Sequence, residues 1–95
     1  MLKSEIINTI VSYLKENNVN EIGLFGSFAR GEETMQSDID LLVKYNRGTT
    51  LFDIARMKLE LTEKIGREVD LVDKDAVSPL LMNYVLKDLQ SVYHA

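Results

Sequence analysis

Two short segments of the chain carry residues whose types and spacing suit chemistry on phosphate groups. The first is Gly26-Ser27, where glycine lets the backbone approach a ligand closely and serine can donate both its amide and its hydroxyl. The second is Asp38-Ile39-Asp40, two carboxylates with one residue between them. Alternate side chains of a strand project from one face, so on a strand both carboxylates would point the same way. Phosphoryl transfer needs such parts, because it depends mainly on positioning and on charge neutralisation.

A third carboxylate, Asp70, follows within a later apolar run. Mg²⁺ takes oxygen ligands, and in a two-metal site ions about 3.5–4 Å apart clamp the attacking and leaving oxygens of a displacement. Asp38 and Asp40 would bridge such a pair, while Asp70 would complete the shell of one ion and orient the attacking hydroxyl. Asp73 and Asp75 are alternatives for the third acid. We prefer Asp70, because Asp73 falls on the opposite strand face and Asp75 lies past the strand's end.

The glycine–serine turn also predicts where the phosphates would bind. A helix that begins directly after Gly26-Ser27 would present free backbone N–H groups to phosphate oxygens. We therefore expect a triphosphate tail at this turn, with its α-phosphate against the aspartates. Arg30 is a further candidate for contact with phosphate, and a salt bridge with Glu32, Glu33 or the aspartates is the alternative.

The elements that must position these residues can be predicted from the spacing of apolar residues and from turn signals. The predicted elements are, in order, a helix closed at Asn17-Asn18, a strand at 22–25, a helical turn at 27–30, a strand at 38–45, a helix between Thr50 and Gly66, a strand at 68–73 and a helix from 78 to 89. Residues 91–95 are left as a frayed tail or a short edge strand.

Two of the helices carry clear start signals. Thr50 and Asp53 have the spacing of a capping box, and Ser78-Pro79 places a capping serine before proline at the first helical position. We expect the buried stripes of these two helices to be Leu51, Ile54, Leu61 and Ile65, and Met82, Val85, Leu86 and Leu89.

This order of elements predicts an α/β (α+β) fold built on a small mixed sheet with helices packed against it. The first two strands are too close in sequence for a long parallel crossover, so we expect them to pair antiparallel. The helix before the third strand permits a parallel pair. With 95 residues, we expect a single domain over residues 1–95.

Composition narrows the classes of function. The net charge of −4 argues against stable binding to nucleic acid, which depends on neutralising phosphates. There is no cysteine, so disulfides and thiolate metal sites are excluded. The sequence has no apolar segment of about 20 residues and no apolar signal core near Met1, so we expect no membrane association and a cytoplasmic location.

The two-carboxylate motif has simpler explanations that must be weighed. An Asp-x-Asp pair is often a solvated strand end, and Ser37 to Asp40 has capping-box spacing that would start a helix. The alternation that follows, with Ile39 and Val43 on one face, favours a strand instead. The glycine–serine turn upstream and Asp70 downstream favour a metal site.

Taken together, residues 26–32 (GSFARGE) and 37–43 (SDIDLLV) closely resemble the signature of the DNA polymerase β-like nucleotidyltransferases. In its small size the chain resembles the MNT group of minimal nucleotidyltransferases, and the resemblance covers nearly the whole chain. It implies a polymerase β palm-like fold, two Mg²⁺ ions, ATP as the usual donor, and transfer of a nucleoside monophosphate to a hydroxyl with loss of pyrophosphate. In that family pattern Asp38 and Asp40 match the metal-bridging acids, Asp70 the third acid, and Gly26-Ser27 the triphosphate-binding pair.

The resemblance also implies a partner. MNT proteins typically pair with HEPN-type toxins, which are helical RNases, and serve as their antitoxins. The acceptor would then be a hydroxyl of the partner, commonly a tyrosine, and the chain would act as a type VII-like antitoxin by adenylylating it. The alternative is an antitoxin that neutralises its HEPN partner by occlusion, without catalysis. The sequence shows no acceptor pocket for a small RNA or an antibiotic, so we expect a partner to bring the acceptor.

Overall fold

A computed structural model of the chain describes residues 1–32, 34 and 37–95. Its helices and strands are α1 (Lys3–Glu16), β1 (Glu21–Phe25), α2 (Gly26–Arg30), β2 (Ile39–Lys44), α3 (Leu51–Ile65), β3 (Val69–Asp73), α4 (Pro79–Asp88) and β4 (Gln90–His94). The order of elements is the predicted one. The C-terminal segment forms an edge strand, which was one of the two alternatives for it.

The four strands form one mixed sheet in the order β3-β2-β1-β4. The β1–β2 pair is antiparallel and the β2–β3 pair is parallel, so both predicted pairings are confirmed. The added strand β4 pairs antiparallel with β1. The C-terminal end of β1 and the N-terminal end of β3 therefore flank the start of β2, where the Asp-x-Asp motif lies.

The two faces of the sheet have different cores. On one face, α1 and α3 cover a large apolar cluster that includes Ile39, Leu41 and Val43 of β2. On the other face, a smaller cluster joins Phe25 and Leu42 to Val85 of α4. The predicted alternation along β2 is therefore confirmed, and it puts Asp40 on the face of the sheet that α4 covers only in part.

Both predicted helix starts form as the sequence indicates. At the start of α3 the Asp53 amide donates to the Thr50 hydroxyl at 3.1 Å, and the Thr50 amide donates to the Asp53 carboxylate at 2.9 Å. At the start of α4 the Leu81 amide donates to the Ser78 hydroxyl at 3.3 Å, with Pro79 in the first turn. These caps satisfy amides that have no partner within the helix.

The prediction that Leu51 and Leu86 belong to the buried stripes of their helices is wrong. Leu51 is 83% exposed, and Met57, at 1%, takes the central place in the stripe of α3. Because successive residues of a helix turn by about 100°, Leu51 lies roughly 80–120° around α3 from Leu61 and Met57, beside the buried stripe and not within it. Leu86 is 56% exposed for the same reason, since α4 buries only the narrow face that contains Val85.

Within the part of the chain that the structure describes, none of the helices combines the length and the apolar character that crossing a membrane requires.

Candidate active site

Asp40 and Asp70 lie side by side on neighbouring strands. The parallel β2–β3 register pairs the two residues directly. Neighbouring strands are about 4.8 Å apart, and paired residues project from the same face. The fold therefore brings together two of the three predicted acids, on the same side of the sheet as α4.

Gly26 closes the site from the β1 side. The β1–β2 register pairs Phe25 with Asp40, so the turn at Gly26 follows immediately beside the carboxylate. A Cβ atom built at position 26 would overlap Oδ2 of Asp40. The backbone there also has φ +75°, a left-handed conformation that favours glycine. Both conditions favour glycine, because a larger residue would strain the backbone and displace the Asp40 carboxylate.

Ser27 lies in the first turn of α2, directly after this close approach. Its side chain is partly exposed. Among the residues that the structure describes, no hydrogen bond is made by its hydroxyl, so this donor is available to a ligand beside Asp40. This is where the sequence predicts the triphosphate tail.

Asp38 stands just outside the strand. β2 begins at Ile39, whose amide donates to the Glu68 carbonyl oxygen at 2.9 Å, so the predicted strand is one residue too long at each end. Asp38 is exposed at this strand entrance. Its charge nevertheless acts on Asp40, as the pKa of that carboxyl shows.

The environment of Asp40 disfavours its charged form. Burial raises the pKa of the Asp40 carboxyl above its usual value, and the negative charges of Asp70 and Asp38 raise it further. No donor contacts this carboxylate within residues 1–32, 34 and 37–95. Asp40 thus lies among negative charges without a donor of its own in the described part of the chain, which is a suitable setting for a bound divalent ion.

Lys58 holds the third acid from the side of α3. Its ammonium lies 3.3 Å from Oδ1 of Asp70 and 3.3 Å from Oε1 of Glu68. Hydrogen bonds to Glu68 and Asp70 raise the pKa of Lys58. Sequence reasoning missed this residue. Its only signal was its position one helical turn after Ile54, where a positive charge borders an apolar stripe.

The donor set fits Mg²⁺, although the acids are not yet gathered around one point. Among the described residues, no group of three or more histidine, cysteine, aspartate or glutamate side chains is close enough to hold a metal ion as it stands. Asp40 and Asp70 are nevertheless adjacent, and Asp38 is within electrostatic reach. Carboxylate oxygens are the ligands that Mg²⁺ prefers, usually with water and substrate phosphates completing the shell.

A cleft of about 470 Å³ opens beside these carboxylates. It lies between α3 and α4, mainly on the β3 side of Asp40, and reaches Phe25 just before the glycine–serine turn. Its lining comprises Phe25, Asp40, Ile54, Ala55, Lys58, Asp70, Leu71, Val72, Leu81 and Tyr84. Four separate elements, β1, α3, β3 and α4, build its largely apolar wall, so no pattern within one segment of the sequence predicts it.

The remaining candidates lie away from this centre. Arg30 pairs with Glu32 at 3.0 Å and with Asp88 of α4 at 2.8 Å, so its guanidinium is engaged in salt bridges in this structure. Glu33, another partner considered for Arg30, lies outside the described residues. Asp73 pairs in register with Val43 and therefore projects from the face opposite Asp70, as predicted.

Comparison with known families places these observations in context. Residues 8–95 match the sequence profile of the family described as polymerase beta, nucleotidyltransferase. The match includes the glycine–serine turn and all three predicted acids.

Individual proteins are similar over almost the same length. Protein MJ0435 of Methanocaldococcus jannaschii, whose name assigns it provisionally to the protein adenylyltransferases, is 38% identical over 89 residues, covering 94% of this chain and 96% of its own. Protein adenylyltransferase MntA of Thermococcus cleftensis is 33% identical over 94 residues, covering 94% of this chain and 95% of its own. A crystal structure of a toxin–antitoxin with AMP-PNP superposes with a TM-score of 0.84 at 26% identity, covering 94% of this chain and 73% of that one.

Proposed function

Because the chain belongs to the polymerase β nucleotidyltransferase family, we propose that it transfers AMP from ATP to a protein hydroxyl. We infer that the acceptor is a tyrosine of a HEPN-type toxin and that the chain serves as the antitoxin. The observation that carries this proposal is the direct pairing of Asp40 with Asp70, with Gly26 packed against the Asp40 carboxylate.

The relatives support the class of reaction and the kind of partner. Proteins that match this chain along nearly all of their length carry the name protein adenylyltransferase. The similar toxin–antitoxin structure contains AMP-PNP, an analogue of ATP. These findings favour ATP as the donor and another protein as the binding partner.

We propose a role for each side of the site. The amides and hydroxyl of Gly26-Ser27 would hold the triphosphate on the β1 side, with the α-phosphate beside Asp40. Asp38, Asp40 and Asp70 would hold Mg²⁺, which when bound neutralises the charge of the transferring phosphoryl group. The acceptor oxygen would form a bond to the α-phosphorus as its proton passes to water, and the bond to the pyrophosphate leaving group would break. Asp70 would orient the acceptor hydroxyl.

The cleft on the acceptor side suits an aromatic residue. Its walls are mainly apolar, with Leu71, Leu81 and Tyr84 among them, and the two carboxylates lie in the same cleft. A tyrosine ring could be buried against such walls while its hydroxyl reaches the carboxylates. The acceptor would then be a residue that protrudes from the partner into the cleft.

Occlusion without catalysis is favoured by a different observation. The exposed side of α4 carries apolar side chains, with Leu80 84% exposed and Leu86 56% exposed. Such residues can contact a partner whether or not the acids are intact. The two hypotheses therefore differ in whether Asp40 is needed for neutralisation.

In the test, the chain is incubated with ATP, Mg²⁺ and a HEPN toxin that is co-expressed with the chain. The mass of the toxin is then measured by mass spectrometry. We expect an increase equal to one or more AMP groups, mapped to tyrosine, with wild type and with the matched control Asp73→Asn. Asp40→Asn should give no modification while keeping its fold. If Asp40→Asn silences the toxin without modifying it, occlusion replaces adenylylation as the proposed mechanism.

A further inference from the structure

We propose that Lys58 is a positioning residue that holds Asp70 while no metal is bound and releases it when a divalent cation arrives. Lys58 would thereby set the cation concentration at which the three acids assemble. This inference rests on the metal site proposed above, and it concerns how that site is kept before it is loaded.

The contacts of Lys58 define this role. Its ammonium reaches across from α3 and lies 3.3 Å from a carboxylate oxygen of Asp70. It lies equally close, at 3.3 Å, to the carboxylate of Glu68, just before β3. The positive charge of the ammonium repels a cation bound to the same carboxylate, so the lysine and the metal compete for Asp70.

This competition explains why the paired carboxylates of Asp40 and Asp70 differ in their contacts. Asp40 has no donor within the described part of the chain, whereas the neighbouring Asp70 is held toward α3. The acids are therefore adjacent in the sheet but not collected around one point, which agrees with the lack of a gathered three-acid group among the described residues.

The contact between Lys58 and Glu68 limits the free-energy cost of releasing Asp70. When Asp70 turns to a metal, Lys58 keeps its contact with Glu68, so the ammonium is not left without an anionic partner. Both side chains of this second pair are about half exposed, so water can also solvate the freed charge. The exchange therefore needs only side-chain movement, with no change in the backbone of β3.

The experiment measures metal binding rather than activity. Mg²⁺ is titrated into the full chain without nucleotide, and the midpoint is read from the amide NMR shifts of Asp38, Asp40 and Asp70. Lys58→Met should bind Mg²⁺ about two- to fivefold more tightly than wild type, as expected from the loss of a competing exposed ion pair. Lys58→Arg, which keeps the charge, should bind as wild type does.

Lys74→Met is the matched control for the loss of one positive charge. Lys74 forms a 3.0 Å ion pair with Glu21, which lies at the opposite end of the sheet's strands from the acids. We expect this variant to bind Mg²⁺ as wild type does. A similar increase in both Lys58→Met and Lys74→Met would assign the effect to net charge and overturn the role of Lys58.

Failure of the inference and failure of the metal site give different results. If Asp40→Asn loses Mg²⁺ binding but Lys58→Met binds no more tightly than wild type, Lys58 is not a competitor and the metal site stands. If Asp40→Asn binds as wild type does, or if wild type and Lys58→Met both show no Mg²⁺-dependent shift with or without AMP-PNP, the proposed metal site is wrong and the role of Lys58 falls with it.

Discussion

Gly26 lies so close to the Asp40 carboxylate that a methyl group at position 26 would occupy the space of Oδ2. The same residue adopts φ +75°, so its backbone conformation and its surroundings impose the same requirement. This contact connects the turn after β1 with the acid of β2. The part of the site proposed for phosphate is therefore packed directly against the part proposed for metal.

The first prediction concerns this contact. Gly26→Ala should lower the free energy of unfolding by more than the roughly 1–2 kcal/mol expected for a left-handed alanine alone, because it also displaces Asp40. It should abolish nucleotide-dependent stabilisation as well. Urea unfolding with and without Mg²⁺–ATP would measure both effects.

Gly48→Ala is the matched control for Gly26→Ala. Gly48 has φ +87° but nothing within 4 Å of a built Cβ, so this variant tests the backbone strain without the overlap. Equal destabilisation of the two variants, with Mg²⁺–ATP binding retained in both, would contradict the structural importance of the Gly26–Asp40 contact.

The second prediction uses the pH dependence of stability. The pKa of Asp40 is raised by burial first and by Asp70 and Asp38 next, so the folded state holds its proton more tightly than the unfolded chain. The contribution of this group is therefore most favourable at pH below its ordinary pKa, and it is lost as pH rises through the raised folded value. Asp40→Asn should match wild type in acid and become the more stable protein as pH approaches neutrality.

Urea unfolding at a series of pH values, in a metal-free buffer, would measure this difference. Mg²⁺ should reduce the advantage of the variant by stabilising wild type alone. An Asp40→Asn variant that is less stable than wild type at neutral pH without metal would show that the carboxylate has a stabilising partner in the fold.

The third prediction separates activity from stability at the same residue. Asp40→Asn should lower AMP transfer by at least about 100-fold, because the loss of a metal ligand removes several kcal/mol of transition-state stabilisation. Quenched assays with radiolabelled ATP would measure transfer. Asp73→Asn, which alters a carboxylate on the opposite face of β3, should retain nearly full activity.

Much of this site could be predicted from sequence because local rules determine it. The alternation of Ile39, Leu41 and Val43 fixed the face of β2 on which Asp40 lies, and a short connection fixed the antiparallel β1–β2 pair. The crossover helix then made β3 parallel to β2, and this pairing brought Asp70 beside Asp40.

The parts that sequence reasoning missed depend on contacts between distant elements. The ion pair of Lys58 with Asp70 requires α3 to dock beside β3, and no spacing rule along the chain encodes that contact. The cleft arises where Ile54 of α3, Leu71 of β3 and Leu81 of α4 meet. The helix stripes failed at Leu51 for a related reason, since the docking angle of a helix decides which part of its apolar side is covered.

The fourth prediction tests that corrected stripe. Met57 is buried in the core between α3 and the sheet, so Met57→Ala should lower the free energy of unfolding by about 2–5 kcal/mol. Leu51→Ala removes a side chain that is almost fully in water and should change stability by less than about 0.5 kcal/mol. Chemical unfolding of the two variants would decide between the observed stripe and the one expected from periodicity.

The last prediction concerns the acceptor side of the site. Leu81 lines the cleft beside the carboxylates, whereas Leu80, its neighbour in the first turn of α4, does not line it. Leu81→Asp places a negative charge in the wall proposed for the acceptor's aromatic ring, and Leu80→Asp places the same charge outside it. We therefore expect Leu81→Asp to raise the KM for the protein acceptor about tenfold or more, corresponding to about 1.4 kcal/mol. Stabilisation by Mg²⁺–ATP should be unchanged, because the triphosphate is expected on the β1 side. If Leu80→Asp has the greater effect on the acceptor's KM, the partner binds across the outer surface of α4 and the acceptor does not enter through the cleft.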